Sequence, residues 1–355
     1  MEVAIVGLPN VGKSSLFNAL TASNAAASNF PFTTIEPNVG IVAVPDERLE
    51  FLTKTYQSAK TVPATIKFVD IAGLVKGASA GEGLGNKFLS HIRGCDAIAE
   101  VVRCFENGDI IHVAGKVDPS DDILTINTEL LLADLEQVNK SLQLIADKVK
   151  RQDKEALKLQ PVLEKAVAML NADQPLRLNP ELCVELKSYN FLTAKPLLYV
   201  ANVGEKPNGE LVQKIRTHAE KEQAKVVEIS VKAESEIVAL PAADQAEYRQ
   251  ELGLKSGLAE VITAGYQLLN LETFFTAGPT EAHAWTIEKG TKAPQAAGKI
   301  HTDFERGFIR AEVFNVTDLQ TLVSEKAIRD AGKLRSEGKD YVVKDGDVIE
   351  FLFNV

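Results

Sequence analysis

An eight-residue run, GLPNVGKS (7–14), joins an apolar stretch, EVAIV (2–6), to a helix-forming one, KSSLFNAL (13–20). It matches G-x-x-x-x-G-K-[ST], and a strand before and a helix after give that pattern its physical meaning. The glycines let the backbone wrap a phosphate, and the N–H groups converge on it at a helix N-terminus. Lys13 then reaches the β- and γ-phosphates and the Ser14 hydroxyl sits on Mg²⁺. The competing reading is a glycine-rich turn with a solvated lysine.

Strands are predicted at 38–44 (NVGIVAV), 64–69 (ATIKFV) and 96–104 (DAIAEVVRC). Near-continuous apolar strands alternating with helices argue for a mostly parallel sheet covered on both faces, an α/β fold. The pattern changes at 123. Leu131, Leu135, Val138, Leu142, Ile145 and Val149 follow a 4-3-4-3-4 spacing, an a/d seam that resumes at Leu159, Leu163, Ala166 and Leu170 after the polar break KRQDKEA. This predicts an antiparallel helical hairpin, with Pro161 in the first turn of its second helix. After 195 the first pattern returns: PLLYVA, a helix from about 209, KVVEIS at 225–230 and a helix over 257–270. From Gly278-Pro279 the short runs HAWTI, FIRAEVF, YVV and DVIEFLF surround a short helix near 324–336, a small α+β unit. The expected parts are 1–122 with 195–277 (nucleotide-binding), 123–194 (inserted helical) and 278–355.

A length of 355 residues suits two or three domains, and 45% hydrophobic with 25% charged residues is a composition able to bury cores. The apolar runs are strand-sized, so no membrane partner is expected. MEVAIVGLPN has no basic region followed by an apolar one, which argues against a secretory signal. Cys95, Cys104 and Cys183 are scattered, which suits a reducing, cytoplasmic setting and no metal spacing. A net charge of −10 disfavours a coat of nonspecific nucleic-acid contacts. No DNA specificity is evident. The segment 140–165, with Lys148, Lys150, Arg151 and Lys154 near its turn, nets +3, which is either a footprint for RNA or a solvated helix face.

Other residues gather around the phosphate motif. Asp70 ends the ATIKFV strand and can hold the Mg²⁺ shell through water, while the Gly73 N–H can sense a γ-phosphate. In FPFTT (30–34) one of the two threonines would complete Mg²⁺ coordination. The position after D-x-x-G that carries a water-orienting glutamine in many GTPases is Leu74, so intrinsic turnover should be slow. His112, in the loop after the strand ending at Cys104, could position water or merely cap that loop. Phe105 could stack on a base or belong to the core. Gly77, Gly81, Gly83 and Gly85 suit a switch that orders around a γ-phosphate. PLLYVANVGEK (196–206) ends in Asn202-Val203-Gly204-Glu205 where a guanine site has Asn-Lys-x-Asp. Val203 lacks the lysine stem that lies along guanine, and Glu205 carries one methylene too many. Asn202 and the backbone near Val203 can meet adenine's N6 donor and N1 acceptor without a carboxylate.

GLPNVGKS, NFPFTTIEPN and DIAGLVKGASAGEGLGNKFL together resemble the Obg-related branch of translation-factor-class GTPases. NVGE, the inserted hairpin, and AAGKIHTDFERGFIRAEV with GKDYVVKDGDVIEFLFNV narrow the resemblance to the YchF/Obg-like ATPase family, across essentially the whole chain. The resemblance implies a P-loop G domain, a C-terminal ubiquitin-like TGS domain, preference for ATP with GTP weaker, and association with the ribosome and RNA through the helical and TGS domains. It carries Asn10, Val11, Gly12, Lys13, Ser14 and Ser15 over as phosphate ligands, and Ser14 and Thr34 over as Mg²⁺ ligands. Asn202 and Val203 become the adenine-reading positions, with Ser230 counted among the nucleotide-binding residues. Asn10 is either a turn-former or, as in related NTPases, a residue that helps bind K⁺.

Overall fold

The computed structural model describes residues 1–27, 38–71, 84–107, 116–204, 208–251 and 256–354. The chain divides into two compact units, 1–42 with 67–265, and 43–66 with 266–355. It opens with β1 (Glu2–Val6), α1 (Lys13–Ala27) and β2 (Val39–Ala43). Next come α2 (Glu47–Tyr56) and β3 (Lys60–Val62), which belong to the second unit. The first unit resumes at Lys67 within β4 (Thr65–Asp70) and continues with α3 (Leu84–Gly94), β5 (Ala97–Cys104), α4 (Pro119–Lys150), α5 (Lys154–Asn171) and α6 (Pro180–Glu185). It closes with β6 (Leu197–Val203), α7 (Gly209–Glu222), β7 (Lys225–Ile229), α8 (Val231–Val238), α9 (Ala242–Glu251) and α10 (Gly257–Leu268).

The first sheet runs β2-β4-β1-β5-β6-β7. β1 is parallel to both neighbours, with Ala4 opposite Val69 on one side and Ile98 on the other. β5, β6 and β7 continue the parallel register. Strands in such a sheet are buried on both faces, so they read as apolar runs rather than alternations: every residue of β5 and β6 is buried. Because the chain crosses from one side of β1 to the other, the loop after β1 opens at a topological switch point, where α/β sheets bind ligands.

The insertion is the expected antiparallel hairpin. Leu131, Leu135, Val138, Leu142 and Ile145 of α4 pack with Leu159, Leu163, Ala166 and Leu170 of α5. The turn is tight: Gln152 takes φ 58° and the Asp153 carboxylate accepts from the Ala156 N–H to start α5. That cap corrects the placing of Pro161, which lies two turns inside α5 rather than in its first turn. The root of the hairpin is fixed by Asp134, buried in α4, which accepts from the N–H groups of Leu192 and Thr193 and from the Thr193 hydroxyl. Among the described residues no helix is long and apolar enough to cross a membrane.

The second unit adds β8 (Leu271–Ala277), β9 (Glu281–Glu288), α11 (Ala293–Ile300), α12 (Thr302–Arg306), β10 (Phe308–Asn315), α13 (Val316–Leu322), α14 (Glu325–Asp330), β11 (Arg335–Glu337) and β12 (Asp347–Phe353). Its sheet order is β11-β10-β12-β8-β9-β3, with β12 parallel to β8 between antiparallel pairs. α11 lays Ala293, Ala296 and Ala297 against Phe274, Ile287 and Phe351.

Three expectations change here. The boundary at 277/278 falls inside a hairpin, because β8 and β9 pair from Leu271–Glu288 to Ala277–Ala282 and Gly278 lies in the turn; the second unit begins at Tyr266. It also takes residues 43–66: β3 pairs with β9, and Arg48 of α2 forms an ion pair with Asp345 at 2.5 Å. Finally, YVV (341–343) is no strand, although Val343 is buried, and the helix packed on the sheet is α11, with α14 only a short piece of the helix expected near 324–336. Pro294 and Gly298 hide α11 in the sequence. Pro294 costs little because it sits in the first turn, where its missing N–H has no intrahelical partner to lose.

Candidate functional site

The C-terminal ends of β1, β4, β5, β6 and β7 meet along one edge of the first sheet. At its phosphate half, Gly7 takes φ 149° and Gly12 φ 105°, conformations that side chains rarely adopt. Space is also missing there. A Cβ on Gly7 would lie 2.5 Å from the Val101 carbonyl oxygen, and one on Gly12 would lie 2.5 Å from Asn202 Nδ2. Asn10 is left-handed at φ 63°, which fits its turn-forming reading. α1 starts with the Leu16 N–H donating to the Gly12 carbonyl at 2.9 Å, so the N–H groups ahead of Leu16 have no intrahelical partner. Ser14 and Ser15 are exposed, and the first turn holds no acidic residue to repel an anion.

Lys13 is buried, and its ammonium donates to the Leu8 carbonyl at 2.7 Å. Burial pulls its pKa down to about 8, against the opposing pull of the nearby Asp70 carboxylate. Asp70 itself presents a buried carboxylate oxygen, Oδ1, with no hydrogen-bond partner among the described residues. An orphaned carboxylate oxygen is costly unless something electropositive meets it. A Ser14 hydroxyl and a carboxylate oxygen are the hard oxygen donors that Mg²⁺ takes while keeping several of its waters. The residues present therefore fit Mg²⁺.

At the base half, Asn202 is buried at the end of β6. Its Nδ2 donates to the Val11 carbonyl at 2.8 Å and its Oδ1 accepts from the Val231 N–H at 3.2 Å. One partner is a carbonyl and the other an N–H, so the amide orientation is fixed by chemistry. Asn202 thus ties the phosphate loop to the start of α8, a role the sequence reading missed; the remaining N–H and lone pair are what a base could engage. Val203 is buried, so its side chain is withdrawn into the sheet. The Ser230 hydroxyl caps α8 by accepting from the Ala233 N–H. Phe105 packs on Gly204, where a Cβ would lie 3.1 Å from Phe105 Cβ. This sets the root of the Phe105 side chain against Gly204, just past the end of β6. Thr34, Gly73, Leu74, His112 and Glu205 lie outside the described residues.

A parallel sheet with a phosphate loop at its switch point and an acid ending the next strand defines a P-loop NTPase. Residues 2–169 match the family described as 50S ribosome-binding GTPase. Residues 271–354 match the YchF-GTPase C-terminal family, described as a protein of unknown function. Over 360 residues the chain is 53% identical to the Ribosome-binding ATPase YchF of Shigella flexneri, covering 100% of this chain and 99% of that one. It is 52% identical to the protein of that name from Bacillus subtilis, covering all of both chains. Obg-like ATPase 1 of Bos taurus is 46% identical, with 100% and 92% covered. The solved structure of the Schizosaccharomyces pombe YchF GTPase superposes with a TM-score of 0.88 at 39% identity, covering 99% of this chain and 97% of that one. The chain belongs to the YchF family.

Proposed function

We propose that the chain binds MgATP in preference to MgGTP, hydrolyses it slowly on its own, and acts as a nucleotide-dependent switch on the ribosome in the cytoplasm. The observation that carries this reading is the geometry of the edge, a preformed phosphate loop with an Asp70 oxygen beside it that has no partner among the described residues; the sequence Asn202-Val203-Gly204-Glu205 adds that the lysine and aspartate that hold guanine are absent. The names of the full-length relatives support the ATPase activity and the ribosome as partner. Ser14, Thr34 and Asp70 would hold Mg²⁺, which when bound neutralises charge developing on the phosphates. Lys13 supplies a second positive charge, and the N–H groups of Gly12 to Ser15 hold the phosphate oxygens. Leu74 cannot orient water, so His112 takes that part, and a K⁺ held by Asn10 would supply further positive charge. The C-terminal unit is read as a TGS domain. It and the exposed hairpin tip, Lys148, Lys150, Arg151 and Lys154, face ribosomal RNA.

Phosphate release from MgATP with and without added ribosomes tests the reading. Release should rise with ribosomes, and H112A should lower the stimulated rate by about 10²-fold while leaving ATP affinity within a few-fold. Release that ribosomes leave unchanged would favour a ribosome-binding scaffold whose nucleotide is structural.

A further inference from the structure

β5 ends in Arg103-Cys104, and Arg103 is among the most deeply buried large side chains of the protein, 1% exposed. Its guanidinium turns onto the chain that follows it. Nε donates to the Phe105 carbonyl at 3.1 Å, and Nη2 donates to the Asn107 carbonyl at 3.2 Å. The guanidinium carbon lies 4.7 Å from the centroid of the Phe105 ring. One planar cation therefore fixes two carbonyls, two and four residues on, and covers an aromatic face between them. In register, Arg103 stands opposite Asn202 and Cys104 opposite Val203, so the hook sits beside the base half of the edge.

A buried guanidinium is an expensive way to fill a core position. Burial pushes its pKa down, and Asp122 is the carboxylate whose charge opposes that. An aliphatic residue would fill the space at less cost but could not hold a loop by two donors and a stacked plane. We propose that Arg103 is a positioning residue for base recognition: it locks Phe105 against Gly204 as the aromatic wall on which the nucleotide base stacks. The proposal rests on the reading of this edge as an ATP site and names a residue that the resemblance and the motifs leave aside.

The shape of the contact makes a lysine a poor substitute. Lysine keeps the charge but has neither the planar face nor the two donors in fixed geometry. Base–aromatic stacking is sequence-tolerant, so the hook should contribute affinity for any base-bearing nucleotide and none for a base-free phosphate.

The test compares R103M, R103K, F105A and R103M/F105A by titration with MgATP, MgGTP and magnesium tripolyphosphate, which has the phosphates and no base. R103M and R103K should each weaken ATP about tenfold and leave tripolyphosphate within about twofold. F105A should do the same, and the double variant should lose no more than F105A alone, since Arg103 acts through Phe105. Three results would overturn the proposal: R103K binding ATP like the unmodified protein, ATP and tripolyphosphate weakening together, or losses that add in the double variant. If the unmodified protein binds GTP as tightly as ATP, the adenine reading fails. Coupling between Arg103 and Phe105 is then still decided by the same cycle measured in ATP affinity.

Discussion

At the phosphate half of the sheet edge, the ligand-facing groups are local in sequence. Gly7 to Ser15 supply the loop, the helix N-terminus and the lysine, and Asp70 is the distant addition. At the proposed base half the same work would fall to Phe105, just past β5, and to Asn202 and Val203 at the end of β6, with Arg103 bonded behind Phe105 and Val231 behind Asn202. A local device is rigid because its own backbone dictates it: two glycine conformations and one helix start leave little freedom. A device assembled from several strands depends on the contacts that hold each piece. The phosphate half should therefore fail mainly through its own residues and the Asn202 tie, and the base half also through residues that never touch a nucleotide.

The largest expected effect breaks the phosphate half alone. K13A removes the charge beside the phosphates and should lower MgATP hydrolysis by about 10²- to 10³-fold. Single-turnover phosphate release measures it, and near-normal turnover would remove Lys13 from the chemistry. A smaller effect crosses the two halves. N202A leaves the Val11 carbonyl and the Val231 N–H without their partners, and loosening the phosphate loop in this way should cost binding about 1–3 kcal/mol in all. It should weaken magnesium tripolyphosphate as well as MgATP, by roughly 5- to 150-fold. If only ATP weakens, Asn202 is a base reader and not a tie between halves.

The smallest effect is one of pH. A lysine with a pKa of about 8 in the free protein is charged below that pH, and phosphates bind the charged form. Affinity for MgATP should be full below pH 8 and fall above it, by up to about tenfold per pH unit, because binding must then take up a proton. Titrations between pH 7 and pH 9.5 show this, and K13R should flatten the profile, since arginine stays charged. A flat profile in the unmodified protein would mean that Lys13 holds its proton throughout.

What could be read from the sequence follows the same division. GLPNVGKS, the apolar strands of the first unit and the 4-3-4 seams of Leu131–Ile145 and Leu159–Leu170 are local or periodic patterns, and each reappears in the structure as read. The partition of the chain is not local. Residues 43–66 look continuous with the first unit, yet β3 pairs with β9 more than two hundred residues on, and only that pairing reveals where it belongs. Arg103 offers a faint signal, a lone cation at the end of AIAEVVRC, but nothing in the run says that it turns back onto Phe105. The sequence shows Asn202's chemistry toward a base, while its bonds to Val11 and Val231 join it to segments far away in the chain.

The central claim is that the base half is built for adenine. Side-by-side calorimetric titration of the unmodified protein with MgATP and MgGTP tests it most directly. Guanine's N1 and N2 donors would lack the aspartate that a guanine site provides, at a cost of about 1–3 kcal/mol. ATP should bind more tightly by roughly 5- to 150-fold, and V203K/E205D should move preference towards GTP. Equal affinity of the unmodified protein for the two nucleotides would contradict the account and make Asn202-Val203-Gly204-Glu205 a tolerant guanine site.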